Sequence, residues 1–96
     1  MSGQSRSIEA ILKDRLEVTL QIAEANTTQL RLNQKASGMM VLDLKDERDG
    51  VADSAHEDEQ ARNDAARDAN LNKISDLEKK LSALDEELET VITKER

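Results

Sequence analysis

The side chains in this sequence most capable of chemistry are carboxylates, and they are concentrated in one place. Eight acids fall between Asp43 and Glu59, namely Asp43, Asp46, Glu47, Asp49, Asp53, Glu57, Asp58 and Glu59, and only Lys45 and Arg48 oppose them. That stretch carries −6 of the chain's net charge of −7, with Gly50 in its middle. Carboxylates at this density can steer a cationic or metal-containing partner. General acid–base work would also need a desolvated pocket, and nothing in the sequence suggests a scaffold that forms one. A calcium loop fails on spacing. An EF-hand needs D-x-[DN]-x-[DN]-G with Glu at position 12. With Gly50 at position 6, Lys45 occupies position 1 and His56 position 12. His56 is the sole histidine and there is no cysteine, so a usual zinc site cannot be built. No nucleophile triad and no phosphate-cradling glycine loop is present. The sequence therefore reads as non-enzymatic, without cofactor or metal.

The elements that must position the acids are helices. The 96 residues contain no proline and no aromatic residue, and 36% of them are charged. Without aromatics a layered globular core is hard to fill. A long helical pair needs only a stripe of Leu, Ile and Ala, and this composition matches one. Ser7 is placed to N-cap a first helix, with Glu9 in its first turn. Ile8, Leu12, Leu16 and Leu20 then recur every four residues, beside Ile11 and Ala23, as one helix face. Gly38 could end or loosen that helix, and Met39–Leu44 is the most apolar patch. Ser54 and Glu57 fit the S-x-x-E capping box of a second helix, with Asp53 as an alternative cap. That helix ends in a heptad of Ile74, Leu77, Leu81, Leu84, Leu88 and Val91.

The two halves pair in antiparallel order. Ile8 with Ile92, Leu12 with Leu88, Leu16 with Leu84 and Ala23 with Leu77 have numbers adding to 100, and Leu20 with Leu81 and Leu30 with Leu71 add to 101. Half of that is Gly50, where turn chemistry also puts the reversal. The fold class expected is all-α: a single long antiparallel two-helix coiled-coil hairpin spanning 1–96. Helix 1 covers about 7–44, an acidic tip about 45–53 and helix 2 about 54–93. Pairing between chains in a dimer is the alternative use of the same heptads, and the expected state is a monomer or weak homodimer.

The tip segment Asp53-Ser54-Ala55-His56-Glu57-Asp58-Glu59 resembles the coiled-coil tip of DksA/TraR-like transcription factors, which carry a D-x-x-D-x-A motif followed by acids. Asp53 and Ala55 match the last Asp and the Ala; the first Asp of the motif falls at Gly50, with Asp49 one place away. Arg62, Ala65, Arg67, Ile74, Leu77 and Leu81 occupy a similar second helix. The likeness is to the hairpin alone, since no cysteines are present for the family's four-Cys zinc ribbon. Gre-type factors have a hairpin of similar shape. The resemblance implies a regulator that inserts its acidic tip into the secondary channel of bacterial RNA polymerase. Asp53 would then be the main contact, Ala55 would permit close approach, and Asp49 and Glu57 would assist electrostatically.

A different class fits the same composition: a small acidic coiled-coil adaptor or chaperone that offers an apolar stripe, such as Val18, Ile22 and Leu32, to a partner helix. Both readings expect a protein partner. The acidic balance disfavours direct binding to nucleic acid or anionic lipid. With no signal-peptide core and no long apolar run, the expected compartment is cytoplasmic and no membrane contact is expected.

Overall fold

A computed structural model describes residues 6–50 and 54–95. Two helices account for nearly all of them: α1, Ile8–Asp49, and α2, Ser54–Glu95, of 42 residues each. They pack against one another along their length as an antiparallel hairpin, in a rod of 71 × 20 × 15 Å. The long axis is set by helix length, because 42 residues at about 1.5 Å each extend about 63 Å.

Local signals explain the ends. Ser7 caps α1 as expected: its Oγ accepts a hydrogen bond from the Ala10 N–H at 3.1 Å, and its carbonyl accepts from the Ile11 N–H at 3.1 Å. This satisfies donors that the first turn cannot satisfy internally. Glu9 and Glu57 sit in the first turns, and Arg48 and Lys94 in the last, each complementing the helix dipole. Helix 1 continues through Gly38 and runs to Asp49, five residues beyond the expected end at 44. Charge alone does not break a helix. Lys45, Glu47 and Arg48 are good helix formers, so the segment stays helical until Gly50. There the backbone turns left-handed, with φ of 76°, and the Gly50 N–H bonds the Glu47 carbonyl at 3.2 Å. A residue with a Cβ is strained in that conformation.

The core is a seam with alternating three- and four-residue steps on both helices. On α1 the seam runs through Ile8, Ile11, Arg15, Val18, Ile22, Ala25, Gln29, Leu32, Ala36 and Met39, each buried or half-buried. On α2 it runs through Gln60, Asn63, Arg67, Asn70, Ile74, Leu77, Leu81, Leu84, Leu88 and Val91, each buried or half-buried. The second helix thus uses the expected heptad. The first uses the expected face only in part: Ile8 and Ile11 are inside, but Leu12, Leu16 and Leu20 are 47%, 61% and 56% exposed, and Val18 is buried in their stead. The cause is geometric. Successive residues are about 100° apart around a helix, so each step of four drifts about 40° and the row Ile8–Leu20 drifts about 120°. Alternating steps of three and four stay on one side, which is what a partner helix requires. Consequently Leu16 and Leu20 do not meet Leu84 and Leu81 in the core.

Polar residues in the seam are matched across it. Asn70 Nδ2 donates to the Ala25 carbonyl at 2.8 Å and to Gln29 Oε1 at 2.9 Å. One heptad away, Asn63 Nδ2 donates to the Leu32 carbonyl at 3.2 Å, and Asn63 is only 4% exposed. Arg67 Nε and Gln29 Nε2 both donate to Asn33 Oδ1, at 3.0 and 3.3 Å. Arg15 pairs with Asp85, and Lys35 with Glu59 at 3.4 Å. At the open end Arg6 grips both helices: it contacts Asp14, and its Nε and Nη2 donate to Glu87 Oε2 and Oε1 at 2.9 and 2.8 Å.

Two outcomes follow. Ile11→Ala should cost about 2–5 kcal/mol of stability, as for other large-to-small core changes. Leu16→Ala should stay within about 0.5 kcal/mol in dilute protein, as for surface changes; urea melts of both variants check this. The forked hydrogen bond from Arg6 holds the Glu87 carboxyl below the ordinary glutamate range. A folded-state pKa below the unfolded one stabilises at pH above the unfolded value, and that contribution is lost as pH falls through the folded value. Arg6→Gln should therefore return Glu87 to ordinary titration in carboxyl-carbon NMR and remove that part of the acid-side stability change.

Candidate functional site

With several leucines of α1 displaced from the core, five of the exposed large apolar side chains fall in one row on the outer side of that helix; Leu12, Met40, Leu42, Leu71 and Ile92 are exposed elsewhere. Its members are Leu16, Leu20, Ala23, Thr27, Leu30, Gln34, Ser37, Val41 and Leu44, all exposed. The large ones are 56–65% exposed. Their steps alternate between four and three, the same rhythm as the buried seam. At about 100° per residue this outer row lies about 150° around α1 from the row that packs on α2. It therefore points away from α2, and α1 is apolar on two opposite sides. Thr27 fits such a surface because its hydroxyl already donates to the Ala23 carbonyl at 3.1 Å. The row is apolar from Leu16 to Leu30 save Thr27, and again at Val41 and Leu44, with Gln34 and Ser37 between.

The outer face of α2 is different. Between Asp64 and Glu89 it shows Asp68, Asp76, Lys79, Ser82 and Glu86, all exposed, with Leu71 the exception. The hairpin thus has one apolar edge and one charged edge. Flanking the outer row on α1 is a set of exposed charges ordered along the helix, Glu17 and Glu24 first, Arg31 and Lys45 later.

Val18, Ile22 and Leu32, expected as the stripe offered to a partner, are instead part of the internal seam: Val18 is buried and the other two half-buried. Their spacing of four and ten residues suits the three–four seam that α2 covers. The stripe that is offered consists of the leucines expected inside. An unbroken alternation from Leu16 to Leu44 was the signal that could have found it.

The acidic end is arranged around the reversal. Asp49 is the last residue of α1 and Ala55 lies in the first turn of α2. Glu57 follows in that turn and is exposed. Asp53 lies outside the described residues. Among the described residues no cluster of three or more His, Asp or Glu is placed to hold a metal ion, and no helix is long and apolar enough to cross a membrane. Concave features are shallow; one, at the acidic end, is lined by Val41, Leu44, Lys45 and Arg48. No protein-family model, curated protein or solved structure matches the chain.

Proposed function

We propose that this protein is a non-enzymatic coiled-coil adaptor of the cytoplasm that binds a helix along the outer face of α1. The observation that supports this is the exposed four-heptad row from Leu16 to Leu44. Sustained three–four spacing suits an α-helical occupant, whose side chains fill the holes between successive row residues. The hairpin is the rigid support: α2 covers one side of α1 and holds the other side straight for about 42 Å. Leu16, Leu20, Leu30, Val41 and Leu44 supply the apolar contact. A photo-reactive residue at position 20 should give discrete adducts in cells, and the Leu16→Glu/Leu30→Glu variant should lose them while keeping its helical content. A smear, or no adduct from the wild-type face, would sink the reading.

One observation favours a second reading. The reversal at Gly50 stands at the end of a rod 15–20 Å across, with Asp49 and Glu57 on either side of it. A narrow rod with an acidic end suits insertion into a channel lined by cations. This is the form of the DksA-like reading, in which Asp53 and Ala55 contact RNA polymerase. On that reading purified bacterial RNA polymerase retains the wild-type protein, and Asp53→Asn keeps binding but loses the effect on transcription. Failure of the wild type to bind rejects it.

A further inference from the structure

We infer that the occupant of the outer α1 face is α1 of a second copy of this chain, running antiparallel, with Leu30 on the two-fold axis. The inference rests on the adaptor reading above and names its partner.

The row is self-complementary. An isologous pair of helices brings each residue of the row against its mirror position. Centred on Leu30, the row reads outward in both directions in the same size classes. Thr27 meets Gln34 of the second copy, polar on polar. Ala23 meets Ser37, small on small. Leu20 meets Val41 and Leu16 meets Leu44, large on large, and Leu30 meets itself. The steps from Leu30 are three, four, three and four toward Leu16, and four, three, four and three toward Leu44.

Charge selects the same direction. The exposed residues beside the row are Glu17 and Glu24 in the first half and Arg31 and Lys45 in the second. An antiparallel second copy sets Glu17 against Lys45 at both ends, while Arg31 lies beside its own copy near the axis. A parallel copy sets this charged flank against the uncharged one, so it gains no such ion pair. The other flank, with Thr19, Asn26, Asn33 and Met40, carries no charge to oppose pairing.

Size and access fit as well. The row spans four heptads, enough for a stable helix pair. Because α2 lies on nearly the opposite side of α1, two hairpins join without moving it. The result is a flat, two-fold assembly with the two α1 helices inside, the two α2 helices outside and an acidic reversal at each end.

The chain has no cysteine, so cysteine can be introduced as a reporter. Light scattering of the wild type should give twice the 10.7 kDa chain mass, and Leu16→Glu/Leu30→Glu should give the single-chain mass with unchanged helical circular dichroism. Under mild oxidation Leu30→Cys should cross-link to itself. Ala23→Cys and Ser37→Cys should cross-link when mixed and far less when alone. Glu17→Lys should weaken the dimer at least several-fold, and the swap Glu17→Lys/Lys45→Glu should restore it. Single-chain mass for the wild type overturns the inference. So does self-cross-linking of Ala23→Cys in preference to the mixture, which would mean a parallel pair. If the photo-adduct at position 20 is a different protein on a single-chain hairpin, this inference fails and the adaptor reading stands; if no adduct forms, the adaptor reading fails as well.

Discussion

Two asparagines set the relation between the helices on which every other feature depends. Asn63 and Asn70, one heptad apart on α2, reach across the seam to the carbonyls of Leu32 and Ala25, one heptad apart on α1. A buried amide that misses its acceptor costs about 1–3 kcal/mol. Sliding α2 by one heptad would strand one of the pair, and rotating α1 would turn both carbonyls away. Apolar contacts such as those of Ile11 and Leu84 tolerate such shifts far better, because burial is not directional. Ala25 is part of the same device: its small side chain lets the Asn70 amide approach the backbone.

That constraint and apolar burial together choose the inner side of α1. Eight of the ten seam positions on α1 are apolar against six of the nine on the outer row, so hydrophobicity favours the same side. Turned inward, Leu20 and Leu30 would displace Ala25, Gln29 and Leu32 from their places opposite Asn63 and Asn70. The side that is used inside is the more apolar of the two, and its polar members Arg15 and Gln29 have partners in Asp85 and Asn70. Apolar burial and matching of polar groups thus act in the same direction. The leucines are left on the outside, where they form a second surface of coiled-coil character.

The arrangement separates functions along the rod. Arg6 closes the open end by holding Asp14 on α1 and Glu87 on α2. Gly50 closes the other, between the exposed Glu47 and Glu57. Between them α1 carries a lengthwise apolar edge and α2 a charged one. A hairpin built this way keeps its apolar side and its acidic end on different residues.

The sequence by itself determined that the chain is helical, that it doubles back at Gly50, that Ser7 starts α1, and that Ile74–Val91 faces a partner. These follow from local causes: the absence of proline, a hydroxyl cap, one glycine in a left-handed turn, and a heptad whose steps alternate without interruption. The extent of α1 to Asp49 is local too: a run of charges suggests a loop over 45–49, but Lys45, Glu47 and Arg48 favour helix. Only the tertiary structure decided which side of α1 is buried. A helix with two apolar rows has two answers by periodicity, and the choice depends on which row complements Asn63, Arg67 and Asn70 on a segment some forty residues away. That is a property of the pair of helices, so it could not be read from either one.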